Sequence, residues 1–201
     1  VISIAGGAVS ILAILLVSHH ALGISGPPML VASMGASAVL LFAVPHGALS
    51  QPWPLVAGHV VSALIGVTCA RFIGNQELAA ACAVGLAIGA MHQWKFIHPP
   101  GGATALTAVM GGSAVHELGY SFVLRPVLLN VAVILVIAVL FNLPFHWRRY
   151  PAHFARRGRA APDPQELTHD EVIQALRSLD SFIDITEDDL RRLFHILSTR
   201  T

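Results

Sequence analysis

Aspartate is missing from the first 147 residues of this 201-residue chain, and glutamate occurs there only as Glu77 and Glu117, both near the ends of apolar stretches. Cation and proton pathways through lipid usually depend on buried carboxylates, so the scarcity argues against a cation transporter. Paired carboxylates and nucleophile–base pairs, the marks of common enzymes, do not stand out either, and no enzymatic activity is expected. Cysteine is almost absent: Cys69 and Cys82 lie in apolar runs and read as small core residues, not as a disulfide or metal pair. His92 and His98 stand six apart without a carboxylate nearby, which is not metal-ligand spacing; no metal or other cofactor is expected. No basic run with interleaved aromatics is present, so nucleic acid is not an expected partner. No signal peptide is evident. The first residues are already apolar, and the start reads as a cut within a longer chain.

What is abundant is apolar surface. The chain is 55% hydrophobic and only 11% charged, far more apolar than a soluble domain. The charges are also segregated. Val1 to Trp147 holds Arg71, Glu77, Lys95, Glu117 and Arg125, whereas Arg148 to Thr201 holds nine basic and nine acidic residues. The expected organisation is a transmembrane domain over residues 1–147 and a cytoplasmic linker with a helical tail over 148–201. In the tail, Thr168 with Glu171 forms a capping box ahead of Val172, Leu176, Leu179 and Ile183, and a second short helix starts at Thr186. About 35 residues are too few for an independent core, so the tail docks on something or begins a further domain.

Six apolar stretches divide the first part: Val1–Ser18, Met29–Val44, Leu55–Ile73, Leu78–Met91, Gly101–Val115 and Val127–Leu143. A crossing needs about 20 residues, so the second, fourth and fifth are short for full spans, and the number of crossings lies between four and six. The fold class expected is all-α, a polytopic membrane helical bundle. Pro27-Pro28 and Pro99-Pro100 stand 72 positions apart, each preceding a short stretch with a small hydroxyl residue, and the long stretches recur at a similar offset. This predicts two structural repeats, each with a short Pro-Pro-started helix. Paired interrupted segments in two halves point to a transport site near the midplane; the repeat is inverted if each half crosses an odd number of times. Small residues at spacing four (Gly58, Ser62, Gly66, Ala70; Ala81, Gly85, Gly89; Thr104, Ala108, Gly112) predict close helix packing, within one bundle or in a homodimer. Arg148, Arg149, Arg156, Arg157 and Arg159 directly follow the last apolar stretch and place that end in the cytoplasm.

The chain is organised around His98-Pro99-Pro100-Gly101-Gly102-Ala103-Thr104. Proline forbids a helix running through it but suits a first turn. The backbone N–H groups after it, with Gly101 and Gly102 allowing close approach, would form an anion site at a helix N-terminus; a simple kink or interhelical loop is the alternative. The remaining polar residues in the membrane part are Ser33, Ser37, His59, Ser62, His92, Lys95, His98, Thr104, Thr107 and Asn130, mostly donors; of these Ser33, Ser37, His59, His92, Lys95, His98 and Thr104 are the candidate binding residues. Each has a structural alternative. His98 can cap the following helix, Lys95 can snorkel to headgroups, and the hydroxyls can bond to backbone or to neighbouring helices. His59, a lone ring within a small-residue stripe, fits least well as filler.

The run Met91-His92-Gln93-Trp94-Lys95-Phe96-Ile97-His98-Pro99-Pro100-Gly101-Gly102-Ala103-Thr104-Ala105-Leu106 resembles the signature of the HPP family of integral membrane proteins. Two further runs agree in the same order: Ser33-Met34-Gly35-Ala36-Ser37-Ala38-Val39-Leu40-Leu41-Phe42, and Gln51-Pro52-Trp53-Pro54 leading to Gly58-His59. The resemblance covers about residues 20 to 145, and the tail is similar to the linker of bacterial members in which CBS domains follow. It implies a bacterial cytoplasmic (inner) membrane location. Plant and cyanobacterial relatives are associated with nitrite transport. The expected function is therefore a transporter or channel for a small inorganic anion, nitrite first, bound where the Pro27-Pro28 and Pro99-Pro100 helix starts converge. The alternative is a membrane sensor or scaffold coupled to a cytoplasmic regulatory domain.

Overall fold

The computed structural model describes residues 1–22 and 29–156. Pro27, Pro28 and the expected tail helices lie outside them. The described residues are helical, without strands: α1 (Ile2–Leu22), α2 (Met29–Ala43), a 3-10 turn (Ala48–Ser50), α3 (Pro52–Phe72), α4 (Gln76–Gln93), α5 (Pro100–Met110), α6 (Ser113–Leu118), α7 (Leu129–Asn142) and α8 (Ala152–Arg156). Three segments are long and apolar enough to cross a membrane, Ile2–His20, Pro52–Phe72 and Val123–Asn142. The chain is an integral membrane helical bundle.

Prolines set most of the boundaries. Pro52 and Pro100 each stand in the first turn of their helix, where no intrahelical N–H is lost. Pro126 behaves otherwise. It does not open a helix but lies inside a π-helical turn, Val123–Leu128, that runs straight into α7. A proline has no N–H for the i−4 carbonyl, and a widened turn absorbs the mismatch. The fifth apolar stretch also ends sooner than its hydropathy suggests. It stops at Met110 because Gly112 takes φ +74 and opens the separate α6.

Helix directions follow from which ends touch. A Cβ on Gly6 would meet Phe42 and Phe141, so the start of α1 lies beside the ends of α2 and α7. Ser18 donates to Asn130 Oδ1 at 3.0 Å, joining the end of α1 to the start of α7. Gly58 meets Gly101 and Gly66 meets Ala105 and Ala108, so α3 and α5 run parallel. Gln76 at the start of α4 donates to the Val109 carbonyl near the end of α5, and Met91 near the end of α4 touches Gly101, so that pair is antiparallel. The six main helices therefore alternate, three in each half. The 72-residue offset carries α1 onto α4, α2 onto α5 and α3 onto the Val123–Asn142 segment. Three is odd, so the halves have inverted topology and α2 and α5 point in opposite directions.

Two apolar clusters hold the bundle. One joins α1, α2, α3 and α7 through Ile14, Met34, Leu41, Phe42, Leu55, Val131 and Ile134. The other joins α3, α4 and α5 through Ala79, Ala83, Ala87, Met91, Ala105 and Val109. The α3 stripe packs as its small residues suggest. On α4 the packing face is Ala79–Ala83–Ala87–Met91 rather than the Ala81–Gly85–Gly89 row. Gly85 and Gly89 have open space at the Cβ position and line an outward groove with Val61, Ile65 and Trp94.

At the end of the bundle where α7 stops, Arg148 is buried and donates to Asn142 Oδ1, Ser3 Oγ and the Phe42 carbonyl. It thereby ties the start of α1 to the C-terminus of α2, where a cation suits the helix dipole; burial lowers its pKa. Tyr150, fully buried, donates to the Ser50 carbonyl at 2.8 Å, and its burial raises the phenol pKa above the ordinary value.

Candidate functional site

The segment between α4 and α5 builds the site. Helix α4 ends in a Schellman motif: Lys95 takes φ 55, the Lys95 N–H bonds the His92 carbonyl at 3.4 Å and the Phe96 N–H bonds the Met91 carbonyl at 3.0 Å. This is the usual pair of bonds that closes a helix C-terminus, with Phe96 packing back over Met91. Lys95 occupies the left-handed position where glycine or asparagine is commoner. The turn sends the chain back along α3, burying Phe96 and His98, and α5 begins beside Gly58. From Pro52 to Gly58 is about 9 Å of helix rise, so α5 starts roughly a third of the way along α3. Non-helical backbone at that depth needs protein cover, and α3, α4 and the 3-10 turn provide it.

Four side chains, three from helices and His98 from the segment before α5, meet there. Ser37 Oγ of α2 lies 2.8 Å from His59 Nε2 of α3 and 3.0 Å from His98 Nε2. His59 Nδ1 lies 2.7 Å from Thr104 Oγ1 of α5, and His98 Nδ1 lies 2.8 Å from the Leu49 carbonyl oxygen. The two rings meet edge to face with centroids 4.9 Å apart. All four side chains are fully buried. Ser33, buried one turn before Ser37, offers its carbonyl to the Ser37 hydroxyl at 3.2 Å. Ser62 Oγ, buried on the same α3 face between the Gly58 and Gly66 contacts with α5, has no hydrogen-bond partner among the described residues.

Glycine makes this meeting possible. A Cβ on Gly58 would come within 2.6 Å of the His98 Cβ, and one on Gly101 within 2.5 Å of the Gly58 carbonyl oxygen. The small-residue stripe on α3 thus serves to bring α5 and its histidine against His59.

Two expectations and one alternative reading are corrected. The amides after the Pro-Pro pair are not free: Gly101 N–H bonds the His98 carbonyl at 2.9 Å and Gly102 N–H bonds the Pro99 carbonyl at 3.0 Å. Tight i+3 bonds at the helix start consume the donors an anion would use. His98 does not cap α5 with its side chain; its ring turns to Leu49 and Ser37. The starts of α2 and α5 do not converge either. Eight residues separate Met29 from Ser37, about 12 Å along the helix, so the cluster forms at the start of α5 but well inside α2; Pro27 and Pro28 lie outside the described residues. Ser37, His59, His98 and Thr104 come together, with Ser33 and Gly101 packed around them. Gly102 is half-buried, and His92 and Lys95 are exposed at the end of α4. The Leu49 carbonyl, which anchors His98, gives no side-chain signal that sequence reasoning could find.

Ser37 and His98 stand at the separation of a nucleophile and its base, yet both are fully buried within the helix contacts.

The model of the HPP transmembrane region matches residues 1–151, three-quarters of the chain and all four side chains of the cluster. The chain belongs to the HPP family. Among similar proteins are two transmembrane proteins of Dictyostelium discoideum. One is 42% identical over 126 residues, covering 61% of this chain and 40% of the relative. The other is 38% identical over 130 residues, covering 63% and 45%. The chain spans less than half the length of these relatives. No solved structure matches.

Proposed function

We propose that this HPP-family bundle moves a small inorganic anion across the membrane, with nitrite the first substrate to test and the Ser37–His59–His98–Thr104 cluster as its site. The observation that carries the reading is the cluster itself: hydroxyls and imidazoles, no carboxylate, fully buried, drawn from both halves of an inverted repeat. Sites of this kind in transporters lie where the repeats meet, at a broken helix; here Ser37 and His59 come from one half and His98 and Thr104 from the other. The absence of buried acidic groups among the described residues suits a negative guest. Ser62, unpartnered beside the cluster, supplies a further donor. The basic residues after α7 favour a cytoplasmic location for the end that carries them, in the inner membrane of a bacterium. A homodimer along the Gly85–Gly89 groove is compatible with this site.

The test is uptake of nitrite, nitrate, formate and chloride into proteoliposomes. Selective uptake that Thr104→Val lowers, in protein that stays folded, supports the reading. Equal and negligible uptake of all four by folded wild-type protein removes it, and anion binding without flux transfers the chain to the sensor class.

A further inference from the structure

The hydrogen bonds of the cluster admit one arrangement when both imidazoles are neutral. A carbonyl oxygen can only accept, so Leu49 requires the proton of His98 on Nδ1. His98 Nε2 is then bare and takes the single hydroxyl proton of Ser37. With that proton committed, Ser37 Oγ must accept from His59 Nε2–H. His59 Nδ1 is then bare and accepts from the Thr104 hydroxyl. The chain runs in one direction, Thr104 to His59 to Ser37 to His98 to the Leu49 carbonyl. Every proton on the four side chains is used inside it, and none remains for a guest.

Each hydroxyl, however, has a second acceptor one turn back. Ser37 Oγ lies 3.2 Å from the Ser33 carbonyl and Thr104 Oγ1 lies 3.4 Å from the Pro100 carbonyl. If His98 gains a proton, its Nε2–H donates to Ser37 Oγ and the Ser37 hydroxyl swings to Ser33. If His59 gains one, its Nδ1–H donates to Thr104 Oγ1 and the Thr104 hydroxyl swings to Pro100. Either ring can be charged by rotating one hydroxyl, with no donor stranded. Two charged rings 4.9 Å apart would repel, so the pair holds one extra proton.

Around the pair stand Ser33 and Ser37 of α2, Leu49 of the 3-10 turn, Thr104 of α5 and, against Gly101, Met91 of α4. None of these carries charge, and His92 and Lys95 on the end of α4 are exposed. A lone buried cation with no carboxylate is costly; an anion beside it removes that cost.

We infer that the cluster takes up a proton and an anion together, so that transport is electroneutral proton–anion symport. One proton from the aqueous phase joins a ring nitrogen as the anion enters, and both leave on the other side. The inference rests on the transport reading above. The experiment traps a pH dye in proteoliposomes holding the full chain, imposes an inward nitrite or nitrate gradient, subtracts the leak of protein-free vesicles, and clamps the membrane potential with potassium and valinomycin.

The expected result is one proton entering per anion, a rate insensitive to potential, and a fall of about tenfold per pH unit on the alkaline side, as one bound proton requires. His98→Asn keeps a donor for Leu49 but cannot titrate, and should lose the coupled proton. Anion flux driven by potential without acidification overturns the symport and leaves transport standing. No flux of either anion overturns transport itself. If His98→Asn fails to fold, the wild-type stoichiometry alone decides.

Discussion

Helices α3 and α7 occupy corresponding places in the two halves, and their buried faces differ in kind. The offset of 72 carries Gly58, His59, Ser62 and Gly66 onto Asn130, Val131, Ile134 and Ala138. All eight are buried. The burial pattern has been kept and the chemistry has not: α3 presents glycine, imidazole and hydroxyl to α5, and α7 presents mainly aliphatic side chains. Similarly, Ser33 and Ser37 of α2 correspond to Ala105 and Val109 of α5, again all buried. The lesson is that the inverted scaffold repeats a burial pattern, and among the described residues small and polar side chains mark the α3 copy, where the proposed site lies.

The sharpest way to break this comparison is to exchange residues across it. His59→Val gives α3 what α7 carries and leaves Ser37 and Thr104 without their central partner. Anion uptake in proteoliposomes should fall at least about tenfold, the equivalent of a buried hydrogen-bonding group lost at about 1.4 kcal/mol. The reverse change, Val131→His, buries a ring with no prepared partner and should cost about 3 kcal/mol in thermal unfolding in detergent. A Val131→His protein as stable as wild type would mean that the α7 groove is already polar enough to hold an imidazole.

The next test concerns spacing. A Cβ on Gly66 would come within 2.6 Å of the Ala105 carbonyl oxygen, so Gly66→Ala should force α3 from α5 and cost about 1–3 kcal/mol. Its counterpart Ala138→Gly removes one buried methyl and adds backbone freedom, for about 1 kcal/mol. Uptake should drop in the first variant and hold in the second.

A smaller effect is expected at the end of the second half, where Tyr150 reaches back to Ser50. Tyr150→Phe should cost about 1 kcal/mol. Burial raises the phenol pKa, so the neutral form is favoured in the folded chain. The stability this contributes is present below the ordinary tyrosine value of about 10 and is lost as pH rises through the folded one. Wild-type protein should therefore lose stability in that alkaline range by more than Tyr150→Phe does.

The smallest change is a gain. Lys95 holds a left-handed conformation at the end of α4 and its side chain is exposed. Lys95→Gly should stabilise by about 1 kcal/mol and leave uptake within about twofold, since the proposed site lies among buried groups. A large loss of uptake in Lys95→Gly would return the ammonium to the site.

Much of this was legible in the residues. Prolines marked the starts of α3 and α5, and the pair of Pro-Pro steps disclosed the repeat. Ser37, His59, His98 and Thr104 stand out because polar groups are few in an apolar chain, but so do His92 and Lys95, which the structure leaves exposed. What was not legible depends on backbone geometry. Nothing in Lys95 announces a Schellman motif that normally prefers glycine, and nothing in Leu49 announces the carbonyl that orients His98. The bonds that occupy the Gly101 and Gly102 amides arise from a turn tighter than the α-helix assumed. On α4, a helix rich in small residues along two faces, spacing could not tell Ala79–Met91 from Ala81–Gly89.

The contact between His59 and Thr104, described above as geometry, also has a calendar. The two residues are 45 positions apart, and chains grow at about 5–20 residues per second. For roughly two to nine seconds of synthesis, α3 exists with its imidazole and no Thr104 to meet it. The first half must therefore wait, with a polar ring and no second half, in or beside the insertion machinery. Residues 94–104 then do more than complete the proposed site. Their arrival ends the interval in which the newborn first half is poorly suited to lipid.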